Sequence, residues 1–131
     1  MKRLLLFVPL VLATLDATAA EVTRTERLNL DLKPASTVSH VVAQEITLRG
    51  EVSHIAHRHP CVVVGQVLEG EITFQIDGQA PVMLRAGDTF LEPAQTLIRQ
   101  FDHHGEQPAR FTAFYLIGPT VLSQPLIEMV D

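Results

Sequence analysis

The amino-acid sequence predicts an all-β domain, built as a small closed barrel or sandwich. Short runs rich in Val, Ile, Leu, Thr and Phe recur along the chain, split by turn residues at intervals of about eight to twelve. Hardly any segment carries the helical apolar period over a useful length. Cys61 is the single cysteine, so no intrachain disulfide can staple the domain, and a closed, well-packed core has to supply its stability.

Taken in order, Val38 to Val42 and Ile46 to Leu48 read as early strands, preceded by a polar entry arm around Pro34. Val62 to Leu68 is a strand ending at Glu69-Gly70-Glu71. Ile72, Phe74 and Ile76 alternate with Thr73 and Gln75, which buries one face, and Asp77-Gly78 is a hairpin dipeptide that tolerates positive φ. Val82 to Leu84 follows, then the Ala86-Gly87-Asp88 turn, a strand from Thr89 to Leu91 and a break at Pro93. Thr96 to Phe101 and Phe111 to Ile117 are the last strands, separated by a polar loop from Asp102 to Ala109. The tail after Gly118-Pro119 fits a short helical turn or an edge strand equally well. The residues expected in or near the core are Ile72, Phe74, Ile76, Val82, Leu84, Phe90, Phe111 and Phe114. The last two differ in strand parity, so one of them is a candidate for an outer face.

The first residues read differently. Lys2 and Arg3 precede an apolar run from Leu4 to Leu15, and Ala17-Thr18-Ala19 has the small-x-small form of a signal-peptidase site. The run is interrupted by Pro9 and closed by Asp16, well short of the roughly twenty residues that span a bilayer. The expected organisation is a signal peptide over 1–19, an arm and first strands over 20–44, a barrel over 45–118 and a tail over 119–131. The mature domain is expected in a bacterial periplasm or secreted, with no membrane partner after cleavage. Losing Lys2, Arg3 and Asp16 moves the formal charge from −5 to −6. An acidic domain with no basic cluster and no Trp is a poor match for nucleic acid.

The run "HRHPCVVVGQVLEGEITFQIDG", followed by "LRAGDTFLEPAQT", resembles the cupins, small double-stranded β-helix (jelly-roll) barrels. Gly50, His57, His59 and Gly70 match the first cupin motif; Gly87 and Pro93 match the second. The resemblance covers roughly Gln44 to Gly118 and implies a metal site in the barrel lumen. It also shows departures. The first motif's glutamate falls at Val63, the second motif's later glycine at Gln95, and its histidine at Ile98, or at Leu97 with a one-residue shift. The run "HRHPC" also resembles one exported cupin group that carries a small apolar stretch where others carry the glutamate.

His57 and His59 sit two apart, so on a strand both imidazoles share a face, half of a mononuclear metal site. Three further residues are candidate additional ligands. Cys61 has the same parity, although the intervening Pro60 can shift it, and a lone Cys is commonly a small buried hydrophobe. His103 and His104 lie in the loop near the barrel mouth, where either could reach inwards or stay solvated. His54 has opposite parity to His57 and reads as surface or loop. Two ligand-binding candidates complete the set. Glu92, just before Pro93, either faces the lumen as an acid or ends a strand at the rim. Gln66, on the face of Val62, Val64 and Leu68, bonds a ligand or the backbone.

Three functions follow from this reading. The first is an exported cupin that binds a small molecule, or one weakly held divalent metal (zinc, iron, manganese or copper), without turnover. The second is a metal-dependent cupin enzyme, dioxygenase- or isomerase-like, which requires a replacement for the missing ligands. The third is a structural or interaction module, with a homodimer as the implied partner arrangement.

Overall fold

The computed structural model describes residues 20–53 and 55–130, so the segment 1–19 expected to be a signal peptide, and His54, lie outside the described residues. Among the described residues nine strands form: β1 (His40–Leu48), β2 (His57–Arg58), β3 (Val62–Glu69), β4 (Glu71–Ile76), β5 (Val82–Arg85), β6 (Thr89–Glu92), β7 (Ile98–Asp102), β8 (Ala109–Ile117) and β9 (Glu128–Met129). They make two antiparallel sheets, one in the order β1-β8-β3-β6 and the other in the order β5-β4-β7-β2-β9. No helix forms among the described residues, and so none is long and apolar enough to cross a membrane.

Strand alternation decides what lies between the sheets. Val63, Gly65 and Val67 of β3 point inwards with Ile72 and Phe74 of β4, Phe90 of β6, Phe101 of β7, and Phe111, Ala113 and Tyr115 of β8. Four of these rings form one cluster: Phe101 lies 4.9 Å from Phe111, 5.2 Å from Phe90 and 5.9 Å from Phe74 between centroids. All three pairs are tilted or edge-on, the geometries that ring quadrupoles favour. Gly65 makes room for this cluster, because a Cβ there would collide with the Phe90 ring and the Thr112 carbonyl.

Two expected core residues are corrected. Phe114 is 43% exposed, since it has opposite parity to the buried Phe111, Ala113 and Tyr115. Val82 is 50% exposed, because it opens the edge strand β5. Ile76 is only partly buried but packs against the core. The two early strands are one, β1, whose whole length pairs with β8. The tail contains an edge strand: β9 pairs with β2, setting Met129 opposite His57 and Glu128 opposite Arg58. At Gln95, where the cupin motif has glycine, the backbone keeps the left-handed conformation with φ 60°. There the Gln95 N–H donates to the His59 carbonyl over 2.8 Å.

Candidate metal centre

Three buried side chains converge inside the barrel. His57 comes from the short strand β2, His59 follows directly after it, and Glu92 ends β6. One ligand atom from each lies within 4.8 Å of the others. Nε2 of His59 is 2.7 Å from Oε2 of Glu92, and Nε2 of His57 is 3.7 Å from the same oxygen. The two rings meet edge-on, 4.9 Å apart.

Backbone carbonyls set both rings. His57 Nδ1 donates to Ile55 O over 2.7 Å, and His59 Nδ1 donates to Leu126 O. With Nδ1 donating, each ring turns its Nε2 towards Glu92. This is the outer-shell arrangement that fixes the tautomer of metal-binding histidines. Leu126 lies just before β9, so the tail itself orients one of the ring pair.

The electrostatics couple His57 and Glu92. Burial pulls the His57 pKa down, but Glu92 and the Ile55 carbonyl outweigh it and raise the pKa above the ordinary imidazole value. Burial pushes Glu92 up, but hydrogen bonds from both imidazoles outweigh it and hold the carboxyl below its ordinary range. The 2.7 Å contact brings a carboxylate oxygen against an imidazole nitrogen, which repel unless a proton or a metal ion lies between them. Two imidazoles and a carboxylate suit a first-row divalent ion, and the donor set fits one. Tyr115 stands beside them, its ring 5.5 Å from that of His59. Burial, then the charges of Glu92 and Cys61, push its hydroxyl up, so it stays a proton donor.

The carboxylate is displaced by one strand relative to the motif. Val63, at the motif's glutamate position, is the direct cross-strand partner of Glu92 in the β3–β6 ladder. Directly opposed residues share a face, so Glu92 projects into the space that a glutamate at Val63 would fill. Ile98, at the motif's histidine position, pairs directly with His57 and is fully buried.

The remaining sequence candidates lie elsewhere. Cys61 is buried in the core cluster and also lines a second cavity with Ser36, Thr37 and Val121; it is not part of the converging group, and burial pushes its thiol up. Gln66 lies on the outer face of β3 and donates to the Gly87 carbonyl over 3.2 Å, the backbone role the sequence allowed. His103 is five residues beyond Ile98, roughly 16 Å along the strand direction. Its Nδ1 donates to Glu71 O over 3.0 Å. There it lines a separate surface cavity with Asp102 and His104. His103 Nε2 and Asp102 Oδ1 are buried with no protein partner. His104 is exposed, 3.9 Å from Glu51. Tyr115 was not among the sequence candidates; its parity with Phe111 and Ala113 was the available signal.

A family model for the cupin domain matches residues 45–115, more than half of the chain. The chain belongs to the cupin family. No curated protein matches this cupin by sequence. Among solved structures it resembles DMSP lyase DddQ from Ruegeria pomeroyi DSS-3, with TM-score 0.58 and 17% identity, covering 69% of this chain and 43% of the lyase. It resembles an oxalate oxidase in complex with the substrate analogue glycolate, with TM-score 0.56 and 23% identity, covering 69% of this chain and 46% of the oxidase. A cupin-superfamily sugar phosphate isomerase from Silicibacter pomeroyi DSS-3 aligns with TM-score 0.53 and 23% identity, over 62% of this chain and 53% of the isomerase. The cupin thus spans only about half the length of these proteins, and at these identities the likeness is one of fold.

Proposed function

We propose that this cupin is a metal-dependent enzyme in which His57, His59 and Glu92 hold one divalent ion beside the lumen. The observation that carries the proposal is the convergence of three buried ligand atoms within 4.8 Å, with both histidines already tied by Nδ1 to carbonyls. This ligand count answers the objection that two imidazoles alone bind a metal weakly. A bound ion would supply Lewis-acid polarisation and open coordination positions for a small-molecule donor. The protein's own part is separate from that. The two carbonyls hold the imidazoles in one tautomer, and Glu92 offsets one positive charge. Phe90, Phe101 and Phe111 line the lumen with apolar surface, and the Tyr115 ring stands beside His59 with its hydroxyl protonated. Iron, manganese and zinc are all compatible with two imidazoles and a carboxylate; iron(II) is the usual tenant of that triad.

A second reading, a binding barrel without turnover, draws support from the 2.7 Å His59–Glu92 contact, which satisfies both groups with a shared proton alone. Metal analysis of purified protein after dialysis separates the two. One equivalent of a first-row metal, lost in His57→Ala, supports the metal centre; no retained metal and no uptake from micromolar iron, manganese or zinc refutes it. We further propose export, with a mature N-terminus at Ala20 or Glu21. N-terminal sequencing that finds residues 1–19 intact on a soluble cytoplasmic protein would refute that.

A further inference from the structure

The cavity against which the three ligand residues stand has a volume of about 160 Å³. An engineered apolar cavity of about 150 Å³ takes up benzene, so the lumen has room for a body of that size. Its chemistry is lopsided. Apart from His57, His59 and Glu92, every described residue lining it is apolar except Tyr115. Among the described residues, no Lys, Arg, Asn, Gln, Ser or Thr lines the space. A ligand with several hydroxyls, or with a phosphate, would bury most of its polar atoms unpaired, at a cost of roughly ten- to hundredfold in affinity for each. Charge points the same way. With Glu92 ionised, a divalent ion leaves one net positive charge, which can balance a single negative donor but not a dianion.

We infer that the lumen takes a small, largely apolar molecule of benzene's size class carrying one oxygen or sulfur donor. Polyols and sugar phosphates are excluded by the same walls. The inference rests on the proposed metal centre only for where the donor points; size and polarity come from Phe90, Phe101, Phe111, Ala113 and their neighbours.

The test uses the mature protein, metal-free and zinc-loaded, with calorimetric titration and thermal unfolding as readouts. Four probes are compared: phenol, inositol (a ring of the same size covered in hydroxyls), glucose 6-phosphate and 2-naphthol. Phenol is expected to bind at least tenfold more tightly than each of the others and to raise the unfolding temperature, with a further gain in the zinc-loaded form. Ala113→Leu, which fills the lumen from β8, is expected to abolish phenol binding. If that variant misfolds, Leu48→Phe fills the same space from β1 and takes its place. Phenol binding without zinc uptake would leave this inference standing and remove the metal centre. Stoichiometric zinc with inositol or glucose 6-phosphate preferred, or no phenol binding at millimolar concentration, would overturn it and leave the metal centre intact. Phenol binding that survives in a folded filling variant would also overturn it.

Discussion

Glu92→Gln separates what the carboxylate does for metal from what it does for folding. Glu92 is 2% exposed and its Oε2 meets both imidazoles. Four-ligand structural zinc sites contribute about 10–16 kcal/mol, or roughly 3 kcal/mol per protein ligand. Loss of one ligand of three should therefore weaken zinc binding about hundredfold. The cost to the metal-free fold should be much smaller. Removing one partner of a buried charge pair can cost about 3–5 kcal/mol when a charge is stranded. Here the glutamine amide can donate to the His59 Nε2 lone pair, so about 1–2 kcal/mol is expected. Competition against a chromophoric zinc chelator at pH 7.5 measures the first effect, and urea unfolding of metal-free protein the second. Zinc affinity within threefold of wild type would show that Glu92 is not a ligand. A metal-free loss above about 3 kcal/mol would show that the amide does not replace the carboxylate in the pair.

Four other outcomes are expected. In the metal-free protein, the raised His57 pKa stabilises fully below about pH 6.5 and is lost as pH rises through its folded value. The lowered Glu92 pKa stabilises fully above about 4.5 and is lost as pH falls through its own folded value. Unfolding free energy, wild type minus Glu92→Gln, should therefore peak between those values; a flat difference from pH 3 to 9 would refute the coupling. Ending the chain after Pro125 removes the Leu126 carbonyl that orients His59, and zinc affinity should fall about 10- to 100-fold, with unchanged affinity as the refuting result. Gln95→Gly relieves a non-glycine residue at φ 60° and should stabilise by roughly 0.5–1 kcal/mol in urea unfolding; a net loss would mean that the glutamine side chain has a role of its own. Phe74→Ala removes a ring packed on Phe90 and Phe101 and should cost about 3–5 kcal/mol, whereas a loss under about 1 kcal/mol would contradict its burial.

The strands were largely legible because their signal is local. Ile72 and Phe74 alternate with polar residues and are buried as expected, and Val62–Glu69 and Ala109–Ile117 lie within two residues of the expected strands. Where alternation fails locally, the reading failed with it. Ala43 to Glu45 look like a break between two strands, yet this polar stretch lies on the edge strand β1, where one side faces solvent and the ladder to β8 continues through it. The tail could not be assigned because its strand exists only through two pairings to β2, some seventy residues earlier.

The site shows the same division between local and long-range information. His57 and His59 were legible as a pair because their spacing alone puts them on one face. Cys61 shared their parity and is buried in the core cluster, but its sulfur is not among the three ligand atoms that converge. Glu92 had a local signal too, since Phe90 and Glu92 alternate with Thr89 and Leu91, and an acid on the same side as a core phenylalanine is unusual. What the sequence lacked was the register that sets Glu92 opposite Val63. A motif compares residues at fixed positions along the chain, whereas a metal ion samples only which donor atoms reach one point. An antiparallel ladder gives two residues, on different strands, nearly the same access to that point. A carboxylate can therefore leave one strand and reappear on its neighbour, and the site then looks degenerate in sequence while keeping three ligands in space.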